Sequence, residues 1–229
     1  MSLFRLIQLH FNYCLNKRNI IIISVSFILI QAMTIFFFIL YRDLNVTEAS
    51  KMDIIWQNII SLEKLIFGFI IIFLLGNFCL AENDEYQYLL ISKTTKIRFY
   101  LSKIITLNAI AFIYFLINYL SFIFISFLIN ADFILKMEYL IVYLYLYLVS
   151  VYYGTITMIV IRFVNSILPI IITIILFISS NLWSNTFILS FILPSINMEK
   201  ITFYYFLGVI IVFIFLEMIC FYIFCEYKK

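Results

Sequence analysis

The chain has 229 residues, 66% of them hydrophobic and 12% charged, with a mean hydropathy of +1.15 and a formal net charge of +3. A soluble domain carries about 25% charged residues, so this apolar excess cannot be hidden in a core of ordinary size, and lipid must be the solvent for most of it. The charge is too small to suggest a nucleic-acid partner, and apolar runs such as 20–23 and 36–40 lack the alternation that a membrane barrel requires.

Four glycines and two prolines leave few turns, so long helices are expected. The predicted fold is an all-α polytopic membrane protein, a single transmembrane domain over 1–229, with charges fencing its spans. Residues 1–18 are too polar to cross. On a helical wheel Phe4, Ile7, Phe11, Cys14 and Leu15 share one face, and Arg5, Gln8, Asn12 and Asn16 share the other. That pattern predicts an interfacial helix at the cytoplasmic headgroups. His10 has no ligating or catalytic neighbour in sequence, so packing is its stronger reading.

The first span is 19–41, between Arg18 and Arg42. It is too long for a signal-peptide core and no small-residue cleavage site follows it. Segment 46–62, with Asp53, Trp56 and four isoleucines, reads as a short outer helix leading into a second span at 65–81. The third span is 104–131, between Lys103 and Asp132, and the fourth is 139–161, between Glu138 and Arg162. In the fourth, Tyr143, Tyr145 and Tyr147 alternate around the helix and cannot all face one pathway. Packing and aromatic belts are the first reading of them, an aromatic-lined cavity the second.

Residues 163–198 carry no charge, too long a stretch for one span and too short for two with a turn. One reading is a span near 164–183 followed by an outer re-entrant segment, 184–198, broken at Pro194. The other is two cramped spans. The last span is 201–224. Six spans place both termini on one side, with Arg5, Lys17, Arg18, Lys93, Lys96, Arg98, Lys103, Arg162, Lys228 and Lys229. The opposite side holds Arg42, Lys51, Lys64, Lys136 and Lys200. Basic loops stay in the cytoplasm, so both ends are expected there. The bias toward Ile, Phe, Tyr, Asn and Lys suggests an AT-rich genome and a bacterial cytoplasmic membrane.

Glu217 lies within the last span, where an acid at the bilayer centre costs about 2.5–3.5 kcal/mol. It can snorkel, line a substrate path, or pair with a base at similar depth. Arg162 is the candidate partner, with Lys17 and Arg18 as alternatives. Asn108, Asn118, Asn165 and Asn181 read as helix-to-helix hydrogen bonds. Cys14, Cys79, Cys220 and Cys225 have no metal-ligand spacing and are expected as reduced apolar fillers. No metal is expected.

One polar block interrupts the oil. Residues 82–103 read ENDEYQYLLISKTTKIRFYLSK. Glu82, Asp84 and Glu85 complement the positive end of a helix, with Asn83 as a cap. Leu89 and Leu90 then form an apolar ridge, Ser92, Thr94 and Thr95 favour a break, and Lys96, Arg98 and Lys103 follow. The positive-inside rule explains the bases but neither the three acids nor the Leu pair.

The block resembles the first cytoplasmic loop of type-2 ABC transporter permeases. That loop carries a Glu, a Leu-Leu pair, a turn, then Ser-Arg and a Lys seven residues later. Glu82, Leu89–Leu90, Thr95–Lys96 and Lys103 fall at these places. Asp84 and Glu85 stand where Gly-Thr is usual, Lys93 where Pro is usual, and Lys96 replaces Arg. The plan of an amphipathic first helix, six spans and an outer re-entrant piece is similar too.

The resemblance implies that 82–103 is a coupling loop. Glu82, Asp84, Glu85, Leu89, Leu90, Lys96 and Lys103 would dock into a separate ABC ATPase subunit, beside a second permease chain, identical or homologous. The chain lacks the glycine-rich phosphate loop GxxxxGK[ST], so no cofactor is expected on it and ATP and magnesium would belong to the partner. It would be a transport subunit and not an enzyme. Few charges line the spans, so an amphipathic peptide or lipid-like substrate suits it better than a hydrophilic one. Small permeases of this size resemble bacteriocin self-immunity pumps and phenol-soluble modulin exporters. The rivals are an ion-gradient-driven secondary transporter and a membrane immunity protein that binds without pumping.

Overall fold

The computed structural model describes residues 2–41, 48–80, 95–129, 136–164, 168–182, 194 and 203–226, and among these there is no strand. Seven helices are described: α1 Leu3–Cys14, α2 Lys17–Leu40, α3 Glu48–Leu80, α4 Lys96–Ile129, α5 Met137–Phe163, α6 Leu168–Leu182 and α7 Phe203–Glu226. Five contain windows long and apolar enough to cross a bilayer, namely Lys17–Leu40, Met52–Phe73, Lys96–Ile129, Met137–Ile161 and Phe206–Ile223. The expected fifth span falls on α6, which has only 15 residues, or about 22 Å of rise. A hydrocarbon core is about 30 Å thick. The expected re-entrant segment lies outside the described residues except for Pro194, which is buried and whose carbonyl accepts from the Tyr153 hydroxyl at 3.3 Å.

A tight corner joins α1 to α2. Ser2 caps α1 by accepting from the Arg5 amide, and the Asn16 side chain caps α2 by accepting from the Asn19 amide at 2.9 Å. Asn19 in turn donates from its side chain to the Cys14 carbonyl at 2.7 Å, closing the end of α1. Two asparagines thus satisfy groups that a helix end leaves open. The corner folds α1 back onto α4.

The face that α1 buries overlaps its apolar pattern in part, at Cys14 and at the half-buried Phe11 and Leu15. Leu6, His10 and Cys14, spaced four apart, are buried, whereas Phe4 is 78% exposed. The buried stripe meets Phe99 and Lys103 of α4. In lipid, exposed apolar surface has no reason to hide, so Phe4 is free to stay outside while a mixed stripe makes the protein contact.

Two helices extend beyond their predicted starts. α3 runs unbroken from Glu48 to Leu80, through the Lys64 fence that was expected to separate an outer helix from a span. No proline or glycine precedes Gly68 in it, so nothing stops propagation. α4 begins at Lys96 instead of 104 and runs 34 residues, so the basic stretch Lys96–Lys103 is its first two turns.

α5 is the central element, packed against α3, α4, α6 and α7. Every residue from 149 to 155 in it is buried. α3 crosses α6 closely at Gly68, where an added Cβ would fall into the Phe177 ring, 2.6 Å from its Cε1. Small residues at such crossings let apolar helices approach where no hydrophobic force drives them together. Buried hydroxyls are satisfied locally: Thr34, Thr106, Ser126, Ser150 and Thr173 each donate to the carbonyl four residues back. By contrast α2 and α7 stay largely exposed, with Ile28, Ile39, Phe215 and Met218 all more than 60% accessible. These faces suit lipid.

Candidate functional site

Two helices with matching side-chain ladders form the polar and aromatic centre of the molecule. Asp53, Trp56, Ile60 and Glu63 recur every three or four residues on α3, and Lys136, Tyr139, Tyr143 and Tyr147 do so along α5. Residues at this spacing share one helix face. Laid together, the two faces pair rung by rung. Lys136 Nζ meets Asp53 Oδ1 at 2.6 Å. Trp56 and Tyr139 have ring centroids 4.3 Å apart. The Tyr143 hydroxyl donates to Glu63 Oε1 at 2.9 Å.

At the Lys136 end the seam opens into a cleft of ≈ 400 Å³. Asp53, Gln57, Lys136 and Glu138 are its polar lining, and Trp56 and Tyr139 close its apolar side. The hydrogen bond to Asp53 holds the Lys136 ammonium above the ordinary lysine range. Both partners of this pair are half exposed, so the pair is worth about 0.2–1 kcal/mol.

Past the Trp56–Tyr139 pair the seam is closed. Trp56 packs on Phe122 at 4.9 Å and on Tyr143 at 5.5 Å, and Tyr119 meets Tyr143 edge-on at 5.3 Å. Glu63 and Tyr143 are 1% and 0% exposed. Among the described residues Glu63 Oε2 has no hydrogen-bond partner. Burying a carboxyl with only one donor is expensive, so Glu63 is a costly group to hold inside the protein. The sequence reading passed over Glu63 because it stood beside the Lys64 fence. The signal that finds it is the repeat of polar and aromatic residues from Asp53 onward.

A second polar link joins three helices. Asn108 of α4 donates to Glu217 Oε1 of α7 at 3.2 Å, and the Tyr147 hydroxyl of α5 donates to Asn108 Oδ1 at 3.3 Å. The described partner of Glu217 is therefore an amide. The Arg162 side chain lies outside the described residues. Asn118 is also buried at an interhelical contact, with Gln31 of α2 at 3.4 Å. Asn165 lies outside the described residues, as does the side chain of Asn181. The tyrosines divide as their alternation requires: Tyr143 and Tyr147 face Phe115 of α4, whereas Tyr145 meets Phe206 of α7.

Of the coupling-loop residues, Glu82, Asp84, Glu85, Leu89 and Leu90 fall outside the described residues. Lys96 is exposed on the first turn of α4. Lys103 is fully buried, its Nζ 5.2 Å from the centre of the Phe99 ring. Phe99 also meets His10 edge-on at 5.0 Å. Burial, and next the charge of Lys103, push the His10 imidazole down to about 3 from 6.5. Burial alone pushes the Cys14 thiol up to about 12, which leaves it unreactive at neutral pH. Among the described residues no three His, Cys, Asp or Glu side chains are grouped to hold a metal ion.

No protein-family model matches the chain, and no curated protein or solved structure shows significant similarity to it.

Proposed function

We propose that this chain is the membrane-spanning permease subunit of an ATP-driven ABC exporter. It would sit in a bacterial cytoplasmic membrane with both termini inside, move an amphipathic peptide or lipid-like substrate outward, and work with a separate ATPase and a second permease chain. The observation that carries the reading is the continuity of α4. The helix starts at Lys96, inside the 82–103 block and six residues past Leu90, and runs to Ile129 without a break. Near its start Phe99 and Lys103 pack on α1, and further along Phe115, Tyr119 and Phe122 reach the α3–α5 seam. A push on the block by a motor subunit would therefore travel along one rigid rod to the buried aromatic centre. The exposed apolar faces of α2 and α7 are available to lipid or to a second permease.

The test is purification of the intact chain in mild detergent from its own cells. An ATPase subunit should accompany it, and combined Glu82→Lys and Lys96→Glu should release that subunit while the permease still assembles. Substrate movement driven by a proton gradient, with no ATPase attached, would overturn the reading. One observation favours that rival: Glu63 is a buried carboxyl within the Met52–Phe73 span, and ion-coupled transporters use intramembrane acids.

A further inference from the structure

We propose that Glu63 and the ring cluster that meets it through Tyr143 form a binding site for an organic cation, reached from the cleft beside Lys136. The chemistry has three parts. Glu63 supplies a buried carboxyl that can serve as the counter-charge of an entering cation, with one oxygen, Oε1, held by Tyr143 and the other, Oε2, without a partner among the described residues. Trp56, Tyr143, Tyr119 and Phe122 supply aromatic faces packed within 4.9 to 6.1 Å of one another. A cation over an aromatic face gains about 0.5–2 kcal/mol, most when it is shielded from water. Asp53 and Glu138 line the cleft against the one base Lys136, so its mouth carries a net negative charge and draws cations in.

The distances along the helices make these parts one path. Tyr143 lies seven residues from Lys136, and Glu63 lies ten from Asp53, or about 10 and 15 Å of helix rise. The Trp56–Tyr139 pair stands between the cleft and the carboxyl, and its rings must separate to admit a ligand. The ≈ 400 Å³ cleft in front of that pair is within the size range of small-molecule sites, about 300–1,000 Å³, and Glu63 lies behind it, outside its lining. Neither an uncharged lipid tail nor an anion would gain anything from Glu63, whose carboxyl becomes a partner only for a positive group. The site therefore selects an amphiphile with a positive head, such as an alkylammonium, a phosphonium or a basic peptide side chain. This names a substrate class for the exporter reading and draws its physiological meaning from it, yet binding needs neither ATP nor a partner.

The experiment uses the full chain in phosphatidylcholine nanodiscs. Trp183→Phe leaves Trp56 as the single tryptophan, and its fluorescence reports the site. The probes are tetraphenylphosphonium and tetraphenylborate, which share shape and differ in charge, with the signal of protein-free discs subtracted. Saturable quenching by the phosphonium alone is expected, at least ten-fold weaker in Glu63→Gln. Equal saturable binding of the borate, or no saturable binding of the phosphonium, overturns the site in the otherwise native chain whatever the variant does. Undiminished phosphonium binding by a folded Glu63→Gln protein overturns the role of the carboxyl. Failure to find an ATPase partner leaves all of these outcomes unaffected, so the two readings fail separately.

Discussion

His10 is buried, and burial together with the charge of Lys103 disfavours its charged form. Lys103 stands on the facing helix and the Phe99 ring lies edge-on to it. With a folded value of about 3 against 6.5, the folded chain binds fewer protons than the unfolded one. The stability at stake is fully present above pH 6.5 and is lost as pH falls toward 3, by up to about 1.4 kcal/mol per pH unit. Acidification should loosen α1 from α4, and His10→Phe should flatten that acid limb. Thermal unfolding of both proteins in detergent between pH 7 and 4 reads it directly, and identical acid limbs would refute the assignment. At Glu217 the prediction rests on hydrogen bonding. Glu217→Gln keeps an oxygen for Asn108 and should cost less than about 1 kcal/mol, with the substrate range unchanged. Asn108→Leu strands both Glu217 and Tyr147 and should cost about 1–2 kcal/mol. A folded Glu217→Gln protein that exports a different range of substrates would show that the carboxylate lines the path.

Among the helices, close approach decides more than hydrophobicity, since lipid is as apolar as the side chains it touches. Gly68 permits the α3–α6 crossing, and the ring it faces, Phe177, is fully buried and has nowhere to swing. Gly68→Ala should therefore cost about 1–3 kcal/mol by overpacking. Adding Phe177→Ala should recover part of that loss, which a double-mutant cycle measures as coupling. Independent, additive costs would mean that the two residues do not share the crossing. The helix ends show where local sequence stopped being informative. Charges located α2, α5 and α7 closely, but placed the second span at 65–81 where the apolar window is Met52–Phe73. They misplaced the breaks at Lys64 and Lys103 because a charge ends a span only when nothing covers it. Glu63 is accepted inside α3 through Tyr143, 80 residues away, and Lys103 is covered by α1 folding back. Neither partner is visible in a window of local sequence. On α1 the helical wheel found Cys14 but not Leu6 or His10, because the helix that covers them, α4, lies far along the chain.

In the molecule as a whole, α4 begins within the polar block 82–103 and reaches a buried aromatic seam further along its length. The all-helical, membrane-compatible architecture was legible from composition alone. The split of the fourth-span tyrosines between two faces followed from their alternation, and Tyr145 does point away from Tyr143 and Tyr147. The seam itself was not legible, because it needs the register of α3 against α5, which only tertiary packing sets. If α4 acts as a transmission rod, a helix-breaking Ala111→Pro in its buried middle should uncouple ATP hydrolysis from transport while the ATPase stays bound. An inserted proline costs a helix about 3 kcal/mol and kinks it, so assembly must be checked alongside, and full coupling in an assembled Ala111→Pro complex would remove the rod from the account. The most direct measurement concerns the block itself. A chain with Cys14, Cys79, Cys220 and Cys225 replaced by serine or alanine, and one new cysteine at Ser92, is exposed to a membrane-impermeant maleimide. The account predicts no labelling in intact cells, labelling in inside-out vesicles, and protection in those vesicles when the ATPase subunit is present. Labelling of intact cells at position 92 would put the block on the wrong side of the membrane and contradict it.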